Sequence, residues 1–251
     1  MKYIIFDLDD TLLNKESKIT PFTYDILKKC QELGHKIIIN TARSHNYSLE
    51  YIDELKPDYS ILNGGALILG KDKETLFECC ISENISNALI CDLYKIVENE
   101  GLSAETNNGL YAWHPESTNQ KATYFDFSKP LNKSCFKILC CKSKHDELYQ
   151  LAEKYDVLYT PYYGGLWGRF TRKDATKWLG IVNLMNLIGG DLKDTITFGD
   201  DIGDLEMLQK AGIGVCVSNA QPSVLDVLTP LTCASYEDGV AKFLQKYFEL
   251  I

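Results

Sequence analysis

The stretch KYIIFDLDDT, residues 2–11, changes character within a few positions. Tyr3, Ile4, Ile5 and Phe6 form a short apolar run that stops abruptly at Asp7, Asp9 and Asp10. Such a run predicts a buried strand over Lys2 to Leu8, with its acidic end at the strand's carboxyl terminus. A helix is predicted next: Thr20 can cap it, Pro21 suits its first position, Phe22, Ile26 and Leu27 recur at roughly helical spacing, and Gly34 can end it. Lys36 to Asn40 and Tyr59 to Leu62 read as further strands, with a helical stretch around Tyr47 to Leu55 between them. Strand, helix, strand, helix, strand is the signature of a parallel sheet with helices on its faces.

The same grammar returns toward the C-terminus. Ala175 to Ile188 reads as a helix, Thr195 to Phe198 as a strand, Leu205 to Ala211 as a helix closed by Gly212, and Ile213 to Val217 as another strand. Between the two blocks, from about Ile81 to Arg172, aromatics and turn residues become frequent: Asn107-Asn108-Gly109, Trp113-His114-Pro115 and Tyr162-Tyr163-Gly164-Gly165. The expected architecture is α/β: a Rossmann-like parallel-sheet core formed by residues 1–80 and 173–251, interrupted by an α+β domain over 81–172.

Composition narrows the partners. With 26 Lys and Arg against 35 Asp and Glu, the net charge of −9 gives no general attraction to nucleic acid or to an anionic membrane. Any anionic ligand must be held by local groups. The longest apolar stretches are far short of a membrane span and Asp7 breaks the N-terminal one, so neither a signal peptide nor a membrane segment is expected and the chain is expected to be cytoplasmic. Nine cysteines include the adjacent pairs Cys79-Cys80 and Cys140-Cys141, not the spacing of a CxxC metal site, and read as reduced structural thiols.

Four features stand at predicted strand ends, where open α/β sheets place their ligand sites. In Asp7-Leu8-Asp9-Asp10-Thr11, three carboxylates within four residues repel one another unless a cation or proton relieves them. Oxygen ligands of this kind favour Mg²⁺, which commonly pairs one or two carboxylates with substrate phosphate. Thr41-Ala42-Arg43 offers a hydroxyl, a backbone N–H and a guanidinium, all able to donate to phosphate. Lys177 lies near the start of the helix that follows the insertion. Gly199-Asp200-Asp201-Ile202-Gly203-Asp204 sets a second acidic group at another strand end. Each has a bland alternative as acidic turn, helix cap or solvated lysine; their order gives them joint meaning.

In that order, DLDDT, TAR, a lone Lys and GDDIGD resemble the haloacid dehalogenase superfamily of aspartyl phosphatases, along essentially the whole chain. Asn63-Gly64-Gly65, Ser218-Asn219-Ala220 and Glu237-Asp238-Gly239-Val240-Ala241 resemble its Cof-type branch, subfamily IIB. Between Asp7 and Thr41 there is room for one helix and one strand only, whereas far more than a βα unit separates Thr41 from Lys177. A cap therefore sits after the third strand, the C2 arrangement. The resemblance implies Asp7 as nucleophile, Asp9 as acid and base, and Lys177 as the third catalytic group. It implies Mg²⁺ held by Asp7, the Asp9 carbonyl and Asp200, with Asp204 behind them. Thr41, Ala42 and Lys177 are implied to hold phosphate, and Arg43, Asn63 and Gly64 to face the substrate.

The implied substrate is a small phosphorylated metabolite, a sugar phosphate or a cofactor such as pyridoxal phosphate or FMN, bound by a monomer or weak homo-oligomer. A phosphomutase with the same aspartyl-phosphate chemistry is the alternative. Two further rivals fall: a signalling receiver would carry its phosphorylated Asp after the third strand, where this chain has Leu62-Asn63-Gly64, and a binding protein without catalysis would not need Asp7, Asp9, Lys177 and Asp200 together. Asp10 and Ala42 stand where the family commonly has Gly, and Gly203 where many members have an Asn on the phosphate, so that contact is not carried over. Trp113, His114, Tyr162, Tyr163 and Trp167 are candidates for stacking on substrate or for the insertion's core, and hinges are expected near Ile81 and Arg172.

Overall fold

The computed structural model describes residues 1–99, 101–118, 121–141, 145–162, 166–229 and 231–250. Tyr163, Gly164 and Gly165 lie outside these. The chain opens with β1 (Tyr3–Phe6), α1 (Pro21–Glu32), β2 (Lys36–Asn40), α2 (His45–Leu55), β3 (Tyr59–Leu62), β4 (Leu67–Leu69) and β5 (Thr75–Glu78). Next come α3 (Glu83–Val97), β6 (Leu102–Thr106), β7 (Gly109–Ala112), β8 (Ala122–Tyr124), β9 (Lys137–Cys141), α4 (Asp146–Lys154), β10 (Leu158–Pro161) and β11 (Trp167–Thr171). It closes with α5 (Lys177–Ile188), β12 (Thr195–Gly199), α6 (Leu205–Lys210), β13 (Ile213–Cys216), α7 (Pro222–Leu225) and α8 (Gly239–Tyr247). Two compact units result, one of residues 1–77 with 176–251 and one of residues 78–175.

The first unit is built on a seven-stranded sheet of order β13-β12-β1-β2-β3-β4-β5. β13, β12, β1, β2 and β3 run parallel, and β4 returns antiparallel to β3. The apolar runs explain the arrangement: Ile4, Ile5, Phe6, Ile37, Ile38, Ile39, Ile61, Ile196 and Phe198 are all buried, as strands covered on both faces require. Local signals set the helix ends. Thr20 caps α1 by accepting from Thr23 N–H at 3.1 Å, and Thr176 caps α5 by accepting from Leu179 N–H at 3.1 Å. Because Thr176 is the cap, α5 starts at Lys177 rather than at Ala175. The antiparallel β4 and the short β5 go beyond the sequence reading.

The second unit is α+β, a six-stranded sheet of order β10-β11-β9-β6-β7-β8 in which only β7 and β8 are parallel neighbours. Leu89, Ile90 and Leu93 of α3 and Leu148 and Ala152 of α4 share one apolar cluster with Leu102, Ala104, Ile138, Cys140, Tyr159 and Phe170. Both helices therefore cover the same face of the sheet.

Candidate active site

From β1 the chain moves to β2 and β3 on one side, and later places β12 and β13 on the other. Strand β1 stands where the winding reverses, the place at which open α/β sheets leave a crevice beyond the strands' carboxyl ends. Asp7 follows β1, Thr41 follows β2, Asn63 follows β3 and Asp200 follows β12.

Leaving β1, residues 8–12 make one loose helical turn closed by Leu13 N–H donating to Leu8 O at 2.9 Å. Asp9 within it is extended (φ −66, ψ 133) and Asp10 left-handed (φ 52, ψ 5). Asp7 itself is buried. Thr11 Oγ1 donates to Asp200 Oδ1 at 2.6 Å, tying this turn to the end of β12. Asp204 is fully buried, and its Oδ2 accepts the N–H groups of Asp200 at 3.1 Å and Asp201 at 3.2 Å. Gly199 makes this loop possible, since a Cβ there would stand 2.4 Å from that of Asp204.

Lys177 is the cation at the centre. Its Nζ lies 2.6 Å from Asp204 Oδ1, 3.1 Å from Asp7 Oδ2 and 4.0 Å from Asp201 Oδ1. Two contacts set its position. Asn40 Nδ2 donates to the Lys177 carbonyl at 3.1 Å, and the start of α5 rests on the Asn63-Gly64-Gly65 turn so closely that a Cβ on Gly65 (φ +103) would meet Thr176 O at 2.1 Å.

Asp7, Asp200 and Asp204 bring carboxylate oxygens within 4.8 Å of one another, and Asp7 Oδ1 is buried without a hydrogen-bond partner. Burial pushes the carboxyl of Asp7 up, that of Asp204 well up, and that of Asp200 up to about 7, with Lys177 opposing the trend in all three. For Lys177 burial opposes the charge, but Asp204, Asp7 and Asp201 together raise it above its ordinary value. With all three carboxyls ionised, the cluster would carry more negative charge than one ammonium offsets, and Asp7 Oδ1 has no hydrogen-bond partner. This hard oxygen donor set suits Mg²⁺.

On the other side, Thr41 is buried and Gly64 N–H donates to its carbonyl at 2.9 Å, while Asn63 N–H donates to Arg43 O at 2.8 Å. The turns after β2 and β3 are thus knit together around Ala42. Arg43 N–H donates to Thr41 Oγ1 at 3.2 Å, which leaves the hydroxyl hydrogen to donate elsewhere. Arg43 grips Asp9 with both arms of its guanidinium, Nε to Oδ2 at 2.8 Å and Nη2 to Oδ1 at 2.6 Å. Tyr51 supports it, with its OH 3.3 Å from Nη1 and its ring centroid 5.1 Å from Cζ. Asn63 (φ +53) is buried with neither amide atom hydrogen-bonded.

The sequence reading gave no individual role to Thr11, Asn40 or Asn219. Thr11 had a signal, being the hydroxyl next to the acidic run; Asn40 had one too, as the polar residue that ends an isoleucine strand. Asn219, whose Nδ2 donates to Asp10 O at 2.8 Å, had only its place in a Ser-Asn-Ala triplet. The described aromatic candidates, Trp113, His114, Tyr162 and Trp167, belong to the second unit and stand outside its apolar cluster. Trp113 packs on Tyr124, His114 pairs with Glu116, Tyr162 lies under Arg169 and Trp167 is exposed.

The model of the haloacid dehalogenase-like hydrolase family matches residues 4–244. The chain belongs to this family of enzymes. Among curated relatives, it is 26% identical to the 5-amino-6-(5-phospho-D-ribitylamino)uracil phosphatase of Bacillus subtilis, over 98% of this chain and 97% of that one. Among solved structures, a haloacid dehalogenase subclass IIB sugar phosphatase superposes with a TM-score of 0.83 at 22% identity, covering 100% of both chains. A haloacid dehalogenase-like hydrolase from Bacteroides thetaiotaomicron gives 0.82 at 20% identity, over 98% of this chain and 99% of that one. At these identities the two structures speak for the fold. Among the described residues no helix is long and apolar enough to cross a membrane.

Proposed function

We propose that this enzyme is a Mg²⁺-dependent phosphatase that hydrolyses small phosphorylated metabolites through an aspartyl-phosphate on Asp7. The observation that carries the reading is the state of Asp7: one oxygen on Lys177 at 3.1 Å, the other buried and without a partner, with Asp200 and Asp204 alongside. A relative that acts on a phosphorylated ribityl compound and a fold neighbour named a sugar phosphatase support the substrate class.

Phosphate monoesters hydrolyse slowly because an anionic nucleophile must approach an anionic phosphoryl group while a poor alkoxide leaves. In our reading Asp7 attacks phosphorus, an O–P bond forms and the ester P–O bond breaks. Asp9 gives its proton to the departing oxygen, then takes one from the water that cleaves the aspartyl-phosphate and releases inorganic phosphate. The Arg43 fork holds Asp9 as a carboxylate, the form that takes the second proton; the first transfer needs Asp9 protonated and turned out of that fork. Thr41, the Ala42 N–H and Lys177 hold the phosphoryl oxygens, and Asn63 and Gly64 contact the substrate. Mg²⁺, held by Asp7, the Asp9 carbonyl and Asp200 with Asp204 orienting them, would neutralise developing charge on the phosphoryl group. Residues 81–172 would act as a cap that selects the substrate.

Single-turnover kinetics with labelled phosphate test this. Asp7→Asn is expected to abolish label transfer to protein, and Asp9→Asn to slow release of the leaving group; near-normal turnover in Asp7→Asn would refute the nucleophile. Release of free phosphate, not of an isomeric phosphate ester, separates hydrolysis from the phosphomutase alternative.

A further inference from the structure

We infer that Asn219 is a positioning residue that aims Asp9 by holding the peptide next to it; the inference rests on the reading of Asp9 as acid and base. Asp10 sits in the left-handed region, which is strained for a residue with a side chain and persists where the surroundings impose it. Asn219 is the side chain that engages this residue from across the fold. Its Nδ2 donates to Asp10 O at 2.8 Å and its Oδ1 accepts from Ser235 N–H at 2.8 Å, so both ends of the amide are engaged and its donor is fixed toward the carbonyl.

The mount is rigid. Gln221 N–H donates to Asp200 O at 2.8 Å and Val217 N–H to Gly199 O at 3.4 Å, which anchors the segment around Asn219 to the end of β12. From the other side Thr11 Oγ1 reaches Asp200 at 2.6 Å. The Asp10–Thr11 peptide is therefore gripped at its carbonyl and at the next side chain, both grips leading back to the β12 end. With that peptide fixed, the torsions at Asp9 and Asp10 determine where the Asp9 carbonyl and carboxylate point. Arg43 orients the carboxylate through its side chain; Asn219 fixes the backbone that carries it.

Two variants test this. Asn219→Ala removes both hydrogen bonds. Asn219→Asp keeps an acceptor for Ser235 N–H but sets an oxygen against the Asp10 carbonyl, which isolates the donor and stays informative if the alanine variant folds poorly. With an aryl phosphate and Mg²⁺, both are expected to lower kcat by about 10- to 100-fold, the cost of misplacing a catalytic group by an ångström or less, and to change KM by less than about threefold. Hydrogen exchange read by mass spectrometry is expected to quicken over residues 8–12 and stay unchanged over β1 and β12. A kcat in Asn219→Asp within about twofold of wild type would overturn the inference, as would exchange that quickens throughout the core. If the wild-type protein hydrolyses no aryl phosphate, the phosphatase reading fails, and exchange over residues 8–12 alone decides whether Asn219 holds the turn.

Discussion

Replacing Lys177 with Met removes the one ammonium in a nest of carboxylates while keeping most of its volume. At an effective dielectric of about 20, a charge pair at the observed 2.6 Å is worth roughly 6 kcal/mol before desolvation. The net figure is smaller, because burying both ions offsets most of that attraction. Removing one partner nevertheless leaves the other charge buried and uncompensated, at about 3–5 kcal/mol. Asp204 cannot turn toward water, since it is fully buried and its other oxygen is engaged by two backbone N–H groups. In a domain of this size each kcal/mol moves the melting temperature by about 2–4 °C, so a fall of roughly 6–20 °C is expected. The assay is urea and thermal unfolding at pH 8 with chelator present. Acid should rescue part of the loss, because protonating Asp204 or Asp7 relieves the repulsion that Lys177 offsets. A loss below about 1 kcal/mol at pH 8, or one independent of pH, would refute the view that Lys177 is held and needed as the counter-ion of this cluster.

Burial raises the Asp200 carboxyl from an ordinary 3.8 to about 7, so in the metal-free protein its contribution to stability is full below about pH 4 and is lost as pH rises through 7, by roughly 4 kcal/mol. Added Mg²⁺, which needs the deprotonated carboxylates, should therefore stabilise the protein increasingly from pH 5 to pH 8; a Mg²⁺-minus-chelator difference in melting temperature that stays flat over that range would contradict the assignment. Gly65→Ala would place a methyl group 2.1 Å from Thr176 O at a positive φ, so urea unfolding should show a loss of about 3 kcal/mol or more, and kcat should fall with it as Lys177 is displaced.

The core and its order of chemical features are legible because each rests on a local signal. An unalternating run such as Ile37 to Ile39 can only be buried on both faces, Thr20 and Pro21 announce a helix start, and carboxylates at strand ends mark the side of the sheet that binds. What stayed out of reach depends on contacts between distant segments. Nothing near Arg43 says that its fork closes on Asp9, since the two residues are brought together by the pairing of β1 with β2. The strand β4 is only three residues long, and its antiparallel place is set by its pairing with β3.

The same distinction separates the residues to which the proposed mechanism gives chemistry from those proposed to aim them. A nucleophile, an acid or a metal ligand must be of one chemical type, so Asp7, Asp9, Lys177 and Asp200 advertise themselves as acids and a base at strand ends and a helix start. An aiming residue needs only a donor at the right point in space. Asn40 and Asn219 are both amides, lying 179 positions apart, and each donates to a main-chain carbonyl of the candidate site, that of Lys177 in one case and of Asp10 in the other. Their side chains never touch a reacting group in this geometry, and many polar residues could in principle make such a bond. Only the folded sheet, which sets the ends of β2 and β13 on either side of β1 and β12, shows which two amides do so.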